Sequence, residues 1–183
     1  MKIGLVLAGG GGKGAYELGV WKALDELKLT KYITVFSGTS IGAFNSVLFA
    51  DMKKADELWE EVTMDKLVPI SKSELIKRGI GLYIGGKNLQ LAKKFLNYKL
   101  EHGAIANDGA IEVVEKYLDF NKIKENNKIC YAACTKLSDF SAKYFKINDF
   151  DEETGKKIVL ASASLPLIYD CTEVLGEKYI DGG

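Results

Sequence analysis

The chain has 183 residues, 47% of them hydrophobic and 27% charged, a balance that excludes a disordered or low-complexity protein and suits one domain with a buried core. Its 25 basic and 25 acidic residues cancel, so no overall field draws it to nucleic acid and any electrostatic recognition must be local. Three cysteines, Cys130, Cys134 and Cys171, lack C-x-x-C spacing, which argues against a disulfide scaffold or zinc ribbon and fits a reducing, cytoplasmic compartment.

Residues 2–8 form a short apolar run stopped by glycines, the pattern of a parallel strand covered on both faces and too short for a signal-peptide core. From Gly14 to Lys28 the apolar residues Ala15, Leu18, Trp21, Leu24 and Leu27 recur at helical spacing, leaving Glu17, Lys22, Asp25 and Glu26 to solvent. Ile33 to Ala50 is an uncharged stretch of 18 residues, long enough for a membrane span. Ser37, Gly38, Thr39, Ser40 and Gly42 interrupt it, and turn chemistry of that kind leaves backbone groups unsatisfied in lipid. The stretch therefore reads as buried strand, turn and buried helix. Strand, helix, strand, helix predicts a parallel sheet with crossover helices.

A polar-faced helix over residues 53–63 follows, and Pro69 then opens a basic segment. From Lys66 to Glu101 eight basic residues face two acids, with Leu82, Tyr83 and Ile84 among glycines. This reads as an insertion or cap over the core, with two readings open: a tip that docks on anionic lipid as a peripheral membrane contact, or a solvated lysine face. A helix from about Asn88 to Glu101 is expected to end at Gly103 as a C-cap, and another to run to Leu118 with Asp108 as its cap. Lys128 to Thr135 and Lys143 to Ile147 read as a hairpin, Glu153 to Ser164 as a helix stopped by Pro166, and Thr172 to Ile180 as a hairpin turning at Gly176-Glu177.

Gly9-Gly-Gly-Gly-Lys-Gly14 lies between a strand and a helix, where backbone N–H groups and the helix dipole favour something negative. A Walker loop is excluded, because Gly14 stands where the serine or threonine would follow the lysine. Gly9, Gly11 and Gly14 spell a dinucleotide fingerprint, but Phe36 and Ser37 stand where its ribose-binding acid belongs. An oxyanion hole is the other reading, and both stay open on the loop alone. Gly38-Thr-Ser-Ile-Gly42 is G-x-S-x-G between a strand and a helix, the context of a nucleophile elbow with Ser40 at its apex. His102, the single histidine, sits at an expected helix end and makes a poor base. A desolvated carboxylate can serve instead, and Asp181 follows a strand and precedes Gly182 and Gly183, which allow close backbone approach. Cys130, Cys134, Trp59 and Phe95 read as packing.

Together these residues resemble the patatin-like phospholipases. Gly9–Gly14 looks like the family's glycine-rich loop, Gly38–Gly42 its elbow, Ala161-Ser-Ala-Ser-Leu-Pro166 its A-S-x-x-x-P segment, and Asp181-Gly182-Gly183 its D-G-[A/G] motif. The resemblance implies a three-layer α/β/α sandwich with a mainly parallel central sheet. It implies a serine lipid acyl hydrolase acting on lipid or small ester substrates, with Ser40 as nucleophile and Asp181 as base. Gly10, Gly11 and Gly12 would be the oxyanion donors, and Lys13 would shape their loop. No metal or organic cofactor is implied. Family members usually run on past the last motif, so a truncated chain with a loosely held base and low activity is expected. A dinucleotide-binding protein, or an inactive lipid-binding module of the same fold, are the alternatives.

Overall fold

The computed structural model describes residues 2–50, 52–62, 101–103, 108–166 and 168–183. The basic segment, its expected helix, the Leu82–Ile84 tip and Phe95 lie outside them.

The chain opens with strand β1 (Ile3–Leu7), a 3-10 turn (Gly11–Lys13) and helix α1 (Gly14–Glu26). Strand β2 (Ile33–Thr39) and helix α2 (Ile41–Leu48) meet at a turn of one residue, Ser40, so the uncharged stretch is the strand, turn and buried helix that its glycines and serines predict. Helix α3 (Met52–Glu61) follows, then α4 (Asp108–Tyr117) and α5 (Phe120–Glu125). The rest is β3 (Ile129–Lys136), β4 (Ala142–Lys146), α6 (Glu152–Ser162), β5 (Thr172–Val174) and β6 (Glu177–Asp181).

The fold is α/β around one sheet. Strands β1, β2 and β3 are parallel neighbours, while β4 and β6 join β3 antiparallel and β5 joins β6 antiparallel. A strand has two edges. Because β4 occupies one edge of β3 along Tyr131–Thr135, β2 and β6 must share the other, end to end. Thr39 at the end of β2 faces Ala133, and Asp181 at the end of β6 faces the next residue, Cys134. As β2 runs with β3 and β6 against it, their C-terminal ends meet head to head.

Helices α1, α2, α3, α4 and α6 pack on one another over one face of this sheet. The core there joins Phe36 of β2, Trp21 of α1, Val47 of α2, Leu58 of α3 and Ile158 of α6. Trp21 stacks on Phe49 with ring centroids 5.3 Å apart. Cys130 and Cys134 point into this layer, and burial pushes both thiols up to about 12. They are packing residues, as their spacing suggests.

Several local expectations need correction. Among the described residues β1 is covered on one face only: it pairs only with β2, and Val6 on the face away from the helices is 80% exposed. Continuous apolar character marks an inner strand only when helices lie on both sides, and no described helix covers that face. Asp108 is the first residue of α4 rather than the residue before it. Gly103 does not take the left-handed conformation of a C-cap; a Cβ there would run into the Tyr169 backbone, and its amide donates to Asp170 Oδ1 at 2.7 Å. Helix α5 was not anticipated, because six residues carry too little periodicity to detect. Its signal is Asp119, whose carboxylate accepts from the Asn121 and Lys122 amides.

Candidate active site

The turn from β2 into α2 is tight enough to dictate its own residues. A Cβ on Gly38 would land on the Gly42 carbonyl, and one on Gly42 would land on the Leu7 carbonyl at the end of β1. Both positions therefore require glycine. Between them Ser40 is held at φ 56° and ψ −127° and is 7% exposed. A non-glycine residue in that region is costly, and such strain persists only where the surroundings over-determine it.

The glycine loop lies against this turn. A Cβ on Gly9 would stand 3.3 Å from Ser40 Cβ. Gly10, at φ 147°, has the Lys13 stem folded over it. Lys13 N–H donates to the Gly10 carbonyl, and Gly14 N–H turns back to Gly11 and Gly12. The amides of Gly10, Gly11 and Gly12 head the turn and are not spent on its own carbonyls. Gly14 packs so closely on Ile41 and Trp59 that no side chain fits.

Asp181 arrives from the opposite direction on β6 and is 5% exposed. Its amide donates to the Ser164 carbonyl at 2.9 Å, and its Oδ1 accepts from the Gly183 amide at 2.8 Å. Oδ2 is buried with no hydrogen-bond partner within bonding distance among the described residues. Burial pushes the carboxyl above the usual carboxylate range; the Ser40 hydroxyl and the Gly183 amide oppose that push. Gly182 crosses β3 where a Cβ would meet the Ala133 carbonyl. Asp181 is thus packed and bonded on both sides.

Ser40 and Gly11 open onto a cavity of about 80 Å³. Phe44 of α2, Leu58 of α3, Val114 of α4 and Val159 of α6 line it, and among the described residues every lining side chain apart from Ser40 and Tyr169 is apolar. Among the described residues no cluster of histidine, cysteine and acidic side chains could hold a metal ion. His102 does not line the cavity.

Four supporting residues carry no assigned role in the sequence reading, two of them, Ser162 and Ser164, within the Ala161–Pro166 segment already singled out. Ser162 Oγ accepts the Ser40 N–H at 3.0 Å and donates to the Ala133 carbonyl at 2.6 Å. Ser164 supplies the carbonyl beneath Asp181. Asn45, fully buried, donates to the Gly14 carbonyl at 3.1 Å and to Glu17 Oε2 at 2.9 Å, and accepts from Trp59 Nε1 at 3.2 Å. Glu17, expected in solvent, is half-buried: burial raises its carboxyl, and Asn45 and the Ala8 amide oppose that rise. The available signals were an asparagine inside an apolar helix and two serines in an apolar helix end.

A family model for patatin-like phospholipases matches residues 5–183. Lysophospholipase nte1 of Aspergillus terreus is 52% identical over 48 residues, which is 26% of this chain and 3% of that protein. Patatin-like phospholipase domain-containing protein 7 of Rattus norvegicus is 39% identical over 56 residues, 31% of this chain and 4% of that protein. The matched stretches are thus a few per cent of these relatives' length. VipD from Legionella pneumophila superposes on all of this chain with 46% of its own, at a TM-score of 0.60 and 21% identity, a likeness of fold. With the family model spanning nearly every residue, the chain belongs to the patatin-like phospholipase family.

Proposed function

We propose that this protein is a serine lipid acyl hydrolase that cleaves carboxylic esters of lipids with a Ser40–Asp181 dyad. The observation that carries the reading is the head-to-head meeting of β2 and β6 on β3, beside which lie a strained serine and a buried carboxylate with one oxygen unpartnered among the described residues. Family membership and relatives named as lysophospholipases support it.

In this mechanism Ser40 Oγ attacks the ester carbonyl carbon as its proton passes to Asp181 Oδ2. The carbonyl oxygen takes the electron pair and is held by the Gly10, Gly11 and Gly12 amides. Collapse breaks the bond to the alcohol, which leaves with the proton from Asp181, and an acyl-serine remains. Water then gives a proton to Asp181 and attacks the acyl carbon; Ser40 regains the proton and the fatty acid departs. The apolar cavity takes the acyl chain, so the enzyme reads the chain rather than the head group.

The test is intact mass after incubation with an alkyl fluorophosphonate, whose fluoride is displaced by an activated serine. One adduct on Ser40, absent from Ser40→Ala and Asp181→Asn, is the expected result. No adduct would sink the hydrolase reading and return the glycine loop to nucleotide binding.

A further inference from the structure

The segment Ser162–Ser164, at the C-terminal end of α6, touches both halves of the dyad through the main chain. Ser162 Oγ accepts the Ser40 N–H at 3.0 Å across 122 residues of sequence, and its own hydrogen goes to the Ala133 carbonyl at 2.6 Å. Two residues on, the Ser164 carbonyl accepts the Asp181 N–H at 2.9 Å. The segment is itself pinned. Ala163 N–H bonds back to Val159 and Leu160, and Ser164 Oγ donates to the Leu160 carbonyl at 2.9 Å and meets Thr172 Oγ1 at 2.9 Å. Ser162 is fully buried and Ser164 is 2% exposed.

We infer that Ser162–Ser164 is a positioning clamp that sets nucleophile and base against each other, with Ser162 as its key residue. The inference rests on the Ser40–Asp181 reading. A hydroxyl suits the position because it must accept from one backbone amide and donate to a backbone carbonyl at once. The Ala133 carbonyl lies on the β3 rung that faces Thr39, and Gly182 crosses over the same carbonyl. The clamp is therefore referenced to the strand along which β2 and β6 meet. It also occupies the Ser40 amide, leaving oxyanion stabilisation to the glycine loop.

Fluorophosphonate labelling followed over time separates a rate constant from a final extent. In Ser162→Ala the rate constant is expected to fall about 10²-fold, the cost of a small misplacement of reacting groups. The final extent of the folded protein stays complete, and the pH midpoint, set by Asp181, stays in place. Lost folding would lower the extent without lowering the rate constant. The comparison variant is Ser46→Ala: Ser46 is also fully buried, its hydroxyl donates to the Ala43 carbonyl at 2.7 Å, and it contacts neither member of the dyad. Its rate constant is expected to match the unaltered protein. A Ser162→Ala rate constant equal to that of the unaltered protein overturns the clamp.

Should Ser162→Ala fail to fold, hydrogen exchange on the unaltered protein decides. The Ser40 and Asp181 amides must exchange far more slowly than those of the exposed Gly9 and Gly12, and comparable rates overturn the clamp. An unaltered protein that takes no adduct on Ser40 overturns the dyad itself, and with it any catalytic role for the clamp, even where both amides are protected.

Discussion

Ser40 and Asp181, the proposed nucleophile and base, are each held at a cost to the fold. The serine occupies φ 56° with ψ −127°, a conformation costing about 1–3 kcal/mol for a residue with a side chain. Ser40→Gly should consequently be more stable than Ser40→Ala by about 1 kcal/mol, measured by urea denaturation, although both lose labelling. The carboxyl of Asp181 is raised by burial, so the folded state holds its proton to higher pH than the unfolded chain does. The group therefore favours folding below the ordinary carboxylate range, and that contribution is lost as pH climbs through the raised value. Asp181→Asn is expected to raise the melting temperature at neutral pH, with the gain shrinking as pH falls from the raised value to the ordinary carboxylate range and gone below it. In the active protein the same shift moves the acid limb of kcat/KM above the ordinary aspartate range, since the base works only when ionised. A limb at the ordinary value would argue against Asp181 as the base.

Among the elements, the start of α1 and the middle of α2 are tied by a buried polar network rather than by apolar contact alone. Asn45 reaches Gly14, Glu17 and Trp59, and Glu17 reaches the Ala8 amide. Ala8 and Gly14 bracket the glycine loop, so the network holds both of its ends. Asn45→Ala strips the part-buried Trp59 N–H and the half-buried Glu17 carboxylate of a partner, costing about 1–3 kcal/mol per unsatisfied group. The expected outcome is a lower denaturation midpoint together with slower Ser40 labelling, because the loop amides lose their aim. Slower labelling is the informative half; destabilisation alone would make the network purely structural. The elbow glycines belong to the same scale. Gly42→Ala drives a methyl into the Leu7 carbonyl, separating α2 from β1, and is expected to abolish labelling with a loss of about 1–3 kcal/mol or more.

For the whole molecule, the cavity beneath Ser40 exists because α2, α3, α4 and α6 bring apolar faces together beside the head-to-head strand ends. Each methylene that enters it contributes about 0.8 kcal/mol. The specificity constant for p-nitrophenyl esters should therefore rise up to about fourfold per added methylene until the cavity is filled. Val114→Trp is expected to move that plateau to shorter chains while short-chain hydrolysis continues. A chain-length profile unchanged by Val114→Trp would place the acyl chain elsewhere.

What the sequence determined by itself were features whose cause is local. Glycines at 38 and 42 and the serine between them announce a sharp strand-to-helix turn, since only that geometry needs those residues there. The polyglycine loop before α1 and Asp181 between a strand and two glycines are legible for the same reason. The alternation of apolar runs with helical periods likewise yields the α/β class. Tertiary structure alone decided that β2 and β6 share one edge of β3, that Ser162 accepts from the Ser40 amide, and that Glu17 is half-buried rather than solvated. It also left β1 with one face exposed among the described residues. Each of these depends on pairings between segments far apart in the chain, such as the 122 residues from Ser40 to Ser162. Residue order carries the chemistry of such groups but not their partners, because burial and pairing are properties of the packed whole.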